Sequence, residues 1–127
     1  MLDTSHQPLR GMRVLIVEDE YVVASDLVSL LKDAGAMVAG PVASVGDALL
    51  LVTDGENGLD AAVLDVNLHG ERVFPVADAL ADRGVPLVFT TGYDESVIPT
   101  AYASVPRCEK PVDHEALVGL LALWKAR

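Results

Sequence analysis

"AAVLD", Ala61 to Asp65, is apolar for four residues and then ends on an acid. An unbroken apolar run this short fits a strand covered on both faces, at the centre of a parallel sheet. Similar runs surround it, "RVLIV" at Arg13 to Val17, "MVAGPV" at Met37 to Val42 and "PLVFT" at Pro86 to Thr90, and a fifth strand is expected near Arg107 to Glu109. Between them, apolar residues fall at helical spacing. Ala24, Leu27, Val28, Leu31 and Ala34 precede Gly35, which stands at a helix C-cap position. Ser44 and Asp47 have capping-box spacing ahead of Ala48, Leu51 and Val52. Pro75 suits the first turn of a third helix that ends at Gly84, and Asp113 is the N-cap of a last helix buried through Leu117, Leu120, Leu121 and Trp124. Pro99 disfavours helix at Ile98, so a fourth helix is short and starts late. The alternation predicts an α/β, doubly wound, five-stranded parallel sheet with five helices, and the "GP" of Gly40 and Pro41 puts the second strand at an edge.

The composition agrees with one packed domain. The chain has 127 residues, 51% of them hydrophobic and 22% charged, enough to bury a core. Its formal net charge is −10, and the nine Lys and Arg form no cluster that could neutralise a row of phosphates, which argues against nucleic-acid binding. Cys108 is the only cysteine and has no partner for an internal disulfide, which favours a reducing, cytoplasmic setting. No apolar stretch reaches membrane-spanning length. Residues 1–10 read as a mobile tail, and residues 11–127 as the folded domain.

Doubly wound sheets bind ligands beyond the carboxyl ends of their strands. There the chain places Glu18 and Asp19 after the first strand, Asp65 after the third, Thr91 and Gly92 after the fourth, and Lys110 with Pro111 after the fifth. Each has an ordinary reading: a helix N-terminal charge for Glu20 and its neighbours, a turn for Asp65, a surface charge for Lys110. Together they are harder to explain so. Three carboxylates and one ammonium leave about two negative charges at a partly buried edge, which a divalent cation would cancel. All candidate ligands are oxygen donors, so Mg²⁺ is the expected ion. A carboxylate nucleophile, a hydroxyl and a lysine beside it are the parts needed to move a phosphoryl group.

From Arg13 to Trp124 the chain resembles a receiver domain of bacterial two-component response regulators. "VEDE" (Val17–Glu20), "VLDVNL" (Val63–Leu68), "TTGY" (Thr90–Tyr93) and "EKP" (Glu109–Pro111) occur in that family's order and spacing. "FTTGYD" with "GPVASV" further resembles an alphaproteobacterial single-domain subgroup with a Phe-Ala-Thr-Gly-like motif after strand four. The resemblance implies a flavodoxin-like strand order 2-1-3-4-5. It implies Asp65 as phosphoacceptor, Glu18 and Asp19 as the acidic pair around Mg²⁺, and the Asn67 backbone carbonyl as a further ligand. Thr91 and Lys110 match the switch hydroxyl and the phosphate-contacting lysine. Where many receivers carry a rotating aromatic, this chain has Arg107, so Tyr93 or Arg107 joins Thr91 and Gly92 as a switch candidate.

The phosphoryl donor implied is a histidine kinase or a histidine phosphotransfer protein, and the output is an unknown downstream protein, since no output domain is visible in the chain. Such a domain is not an enzyme in the ordinary sense; it assists its own phosphorylation and dephosphorylation. A monomer or weak dimer is expected. The alternative is a receiver-shaped binding module that works without phosphorylation. A flavin-binding protein of the same fold is disfavoured because Glu18 and Asp19 would repel the flavin phosphate. A haloacid-dehalogenase-like phosphohydrolase wants a second Asp where Asn67 stands. His6, His69 and His114 are assigned to no metal.

Overall fold

The computed structural model describes residues 7–54, 58–92 and 98–125. In chain order the elements are β1 (Arg13–Val17), α1 (Tyr21–Asp33), β2 (Met37–Val42), α2 (Val45–Thr53), β3 (Ala61–Asp65), β4 (Asn67–Leu68), β5 (Glu71–Arg72), α3 (Phe74–Asp82), β6 (Leu87–Thr91), a 3₁₀ turn (Thr100–Tyr102), β7 (Arg107–Glu109) and α4 (His114–Lys125). All five residues of β3 are buried, as its apolar run requires. It pairs in parallel with β1 on one side and β6 on the other. The full sheet runs β2-β1-β3-β6-β7, which is the expected order 2-1-3-4-5 once the short β4–β5 hairpin is set aside.

Alternation along each strand divides the core between two faces. On one, Val14, Ile16, Val63 and Val88 meet Leu27 and Leu31 of α1 and Leu117 and Leu121 of α4. On the other, Leu15, Val17, Leu64 and Phe89 meet Ala48 and Val52 of α2 and Val76 and Leu80 of α3. The caps follow the sequence pattern: Ser44 Oγ accepts the Asp47 N–H at 3.1 Å, and Asp113 Oδ1 accepts the Ala116 N–H at 3.1 Å. At the other end of α1, Gly35 has φ +99, and the Ala36 N–H reaches back to the Leu31 carbonyl at 2.9 Å.

Four features depart from the expectation. First, the described residues contain four α-helices, not five. Among the described residues, the region of the expected fourth helix holds only the 3₁₀ turn at Thr100–Tyr102, N-capped by Pro99, whose ring and missing N–H favour a late start. Phe74 and Tyr102 stack with ring centroids 4.8 Å apart, and both meet Phe89 edge-on, which fastens this turn to α3 and the sheet. The Tyr102 hydroxyl also donates to Asp78 of α3.

Second, Leu9 is fully buried, and its N–H donates to the Ala34 carbonyl at 2.8 Å. Packing therefore begins ahead of the boundary expected at residue 11, within the stretch read as a tail. A single leucine among polar neighbours carries no periodic pattern.

Third, the "GP" of β2 is a bulge: Leu15 pairs with Ala39 but Val17 pairs with Val42, so β2 holds one extra residue. Gly40 has φ +88, and a Cβ there would lie 2.9 Å from the Ile16 carbonyl oxygen and from the Val42 nitrogen. Only glycine fits. Pairing resumes beyond the bulge, where the Glu18 N–H donates to the Val42 carbonyl at 2.9 Å.

Fourth, the fourth strand of the sheet, β6, runs from Leu87 to Thr91 rather than from Pro86 to Thr90, so Thr91 is its last residue. At the opposite, amino-terminal edge of the sheet, Trp124 lies beside Leu59, Asp60 and Gly84. No described helix is long and apolar enough to cross a membrane.

Candidate functional site

The strand ends deliver their side chains to one place. Glu18 follows β1 and is buried, with its Oε2 accepting the Glu20 N–H at 3.0 Å. Asp65 closes β3, also buried, and its Oδ1 accepts the Asn67 N–H at 3.2 Å. Beyond β7 the Lys110 N–H donates to the Thr91 carbonyl at 2.8 Å, which continues the β6–β7 ladder by one rung. From there the Lys110 ammonium reaches between the acids, 2.8 Å from Glu18 Oε1 and 3.1 Å from Asp65 Oδ2. Asp19 completes the group. Oxygens of Glu18, Asp19 and Asp65 all lie within 4.8 Å of one another.

Two like charges 4 Å apart repel by about 4 kcal/mol at the effective dielectric near a protein surface, and burial adds to the cost. One lysine cannot neutralise three such carboxylates. Asp65 bears the consequence: burial, then the hydrogen bond and charge of Glu18, push its pKa up to about 8 against the opposing pull of Lys110. Without a cation, Asp65 therefore holds a proton at neutral pH. Asp19 moves the other way. Burial works to raise its pKa, but hydrogen bonds that it accepts from Glu18, Asp65 and the His69 N–H outweigh it and hold it below the usual value. Burial also opposes the charge on Lys110, yet its hydrogen bonds and attraction to Glu18 and Asp65 hold its pKa high.

The donor set suits a hard divalent cation. The ligand atoms that Glu18, Asp19 and Asp65 offer are all oxygen, the acids outnumber the lysine, and the raised pKa of Asp65 reflects the missing positive charge.

Of the residues singled out in the sequence, Glu18, Asp19, Asp65 and Lys110 converge. Thr91 is buried at the end of β6, next to Thr90, which pairs with Asp65 across the sheet. Gly92 follows it, half-buried. Arg107 is exposed and pairs with Phe89, two rungs before the level of Thr91, outside the acidic group. Tyr93 lies outside the described residues. Cys108 is half-buried beneath α4, where burial and then the charge of Asp113 push its thiol pKa up, in keeping with a packing role.

One neighbour of the site was assigned nothing in the sequence. His69 and Gly70 form the tip of the β4–β5 hairpin, with φ of 51° and 88°. The flanking Leu68 and Glu71 pair directly, so this is a two-residue turn of the I′ kind. Its tip touches Asp19: the His69 N–H donates to Asp19 Oδ2 at 2.9 Å, and His69 Nδ1 lies 3.2 Å from the same oxygen. The "HG" pair was the available sequence signal, but two-residue strands on either side are too short to show alternation.

No family model matches the chain. Among solved structures, SdrG from Sphingomonas melonis Fr1 superposes with a TM-score of 0.77 at 39% identity, covering 91% of this chain and 98% of that one. A response regulator receiver protein from Sinorhizobium medicae WSM419 superposes with a TM-score of 0.72 at 25% identity, covering 88% and 94%. Among curated proteins, the sensory transduction protein LytT of Bacillus subtilis is 30% identical over 118 residues. Those residues are 90% of this chain but 48% of LytT, so the chain spans about half the length of that relative.

Proposed function

The chain belongs to the receiver domains of two-component response regulators, and from that premise we propose that Asp65 accepts a phosphoryl group from a phosphohistidine. The observation that carries this reading is the Lys110 ammonium set between Glu18 and Asp65, with Asp19 close by. Asp65 Oδ attacks phosphorus, the phosphorus–nitrogen bond of the donor breaks, and an acyl phosphate forms on the chain. Lys110 neutralises charge on the transferring oxygens, and the Thr91 hydroxyl donates to one of them.

Glu18, Asp19 and Asp65 would hold Mg²⁺ together with the Asn67 carbonyl. Magnesium bound there would supply positive charge that favours the nucleophilic carboxylate form of Asp65. The hairpin supports the role of Asn67. It faces Arg72 between the rungs made by Val66 with Val73 and by Leu68 with Glu71, so its carbonyl points out of the ladder.

Phosphorylation adds about one and a half to two negative charges at Asp65 and draws Thr91 inward, shifting the surface beyond β6 between two populations. Gly92, Tyr93 and Arg107 are the candidate residues through which a partner would read that shift. The donor is a histidine kinase or histidine phosphotransfer protein, the reader is a downstream protein, and the setting is the cytoplasm. Lys110 would also neutralise charge on the phosphoryl oxygens during the later hydrolysis of the acyl phosphate by water. A receiver-shaped module that acts without phosphorylation has no observation in its favour, because the charged groups are all in place.

Incubation with acetyl phosphate and Mg²⁺, followed by intact-mass measurement, tests the proposal. The native chain should gain the mass of one phosphoryl group, and Asp65→Asn should gain none. An unchanged native mass under conditions that label other receivers, or equal labelling of Asp65→Asn, would sink the reading.

A further inference from the structure

Asp19 Oδ2 is engaged by one residue fifty positions away, through two of its atoms: the His69 N–H at 2.9 Å and the imidazole Nδ1 at 3.2 Å. Two facts suggest that this is more than a chance approach. His69 is the one non-glycine residue with positive φ among those described, at a turn position that Gly or Asn would fill with less strain. Its side chain is 78% exposed, so burial in a core does not explain its presence. The turn that carries it is fixed, since the Gly70 N–H donates to Asn67 Oδ1 at 2.7 Å and Asn67 in turn donates to Asp65.

We propose that His69 is a positioning residue for cation binding: its backbone N–H and its imidazole together hold one oxygen of Asp19, leaving the rest of the carboxylate aimed at Glu18 and Asp65. The inference rests on the reading above that these three acids bind Mg²⁺. An Asp19 free to rotate must be ordered each time the ion binds, whereas a carboxylate already held by outer hydrogen bonds is not; losing such a partner commonly weakens metal binding at least tenfold.

The test is calorimetric titration of the full chain with MgCl₂ at pH 8. His69→Gly keeps the backbone donor and eases the turn but deletes the ring. His69→Asn tolerates the same backbone conformation and offers a side-chain amide donor. Asp19→Asn is the control for the site itself. Mg²⁺ affinity should fall about tenfold in His69→Gly and return to within about twofold of the native value in His69→Asn, with melting temperatures of the two variants alike.

Phosphorylation by acetyl phosphate should show the same split. The Mg²⁺ concentration for half-maximal labelling should rise in the glycine variant, while the rate at saturating Mg²⁺ stays unchanged. Native affinity in His69→Gly would overturn the role of the ring while leaving the magnesium site intact. An asparagine variant as weak as the glycine one would overturn the role of a polar side chain beside Asp19. A native chain that takes up no more Mg²⁺ than Asp19→Asn would overturn the site and this inference together.

Discussion

The interior of the sheet and its carboxyl-terminal rim follow opposite rules. From Ala61 to Leu64, β3 has apolar neighbours on both faces; one residue later, Asp65 is equally buried but faces two other acids. In the first region each side chain is stabilised by what it touches. In the second, Asp65 is disfavoured in its charged form, and Lys110 and the Asn67 N–H relieve it only in part. The interior thus favours the fold, whereas the rim gathers like charges at some cost to it.

Truncation inside the sheet should have the largest effect on this contrast. Phe89 is fully buried and meets Phe74 and Tyr102 edge-on, so Phe89→Ala should cost about 3–5 kcal/mol in urea-induced unfolding. A loss below about 1 kcal/mol would mean that the interior is not packed as described.

Truncation of charge at the rim should do the reverse. Without divalent cations, Asp65→Asn should be more stable than the native chain by about 2 kcal/mol at pH 8. The pH dependence sharpens the point. The folded chain holds a proton on Asp65 up to about pH 8, whereas the unfolded chain releases it near the ordinary carboxyl value of 3.8. Across that window the native state binds more protons, so this contribution is full at low pH and is lost as the pH rises through 8. Thermal melts in a chelator should therefore show native stability falling from pH 5 to pH 8, with a flatter profile for Asp65→Asn. Parallel profiles would refute the assignment of the proton. Mg²⁺ should raise the melting temperature of the native chain more than that of the variant.

The smallest expected effect lies between the two regions. Tyr102→Phe keeps the ring stack and removes only the hydrogen bond to Asp78, whose pull, with burial, pushes the phenol pKa up to about 12. Its cost should be about 0.5–1.5 kcal/mol by chemical denaturation. A larger loss would make the hydroxyl, rather than the rings, the main fastening of the 3₁₀ turn.

What could be read from the sequence divides along the same line. The interior strands announce themselves because burial on two faces demands apolar runs, and the caps at Ser44, Asp113 and Gly35 because local backbone geometry demands those residue types. Glu18, Asp19, Asp65 and Lys110 were legible because the fold places strand ends together, so the topology alone brings them to one edge. His69 was not, since its contact with Asp19 spans fifty positions and depends on a turn flanked by strands of two residues. Gly40 and Pro41 were read correctly as an edge, but the bulge they create shows only in the pairing of Leu15 and Val17. Leu9 and the 3₁₀ turn at Thr100–Tyr102 depend on what packs against them, about which their own residues say little.

Trp124 has a practical consequence. It is the only tryptophan of the chain, and it lies beside Asp60 and Gly84 at the far end of the strands from the acids. Its fluorescence is thus a gauge of whether the domain as a whole is intact, read at a distance from the chemistry. A titration that changes labelling at Asp65 while leaving the indole emission still has altered the rim alone, and a single cuvette can tell an idle molecule from an unfolded one.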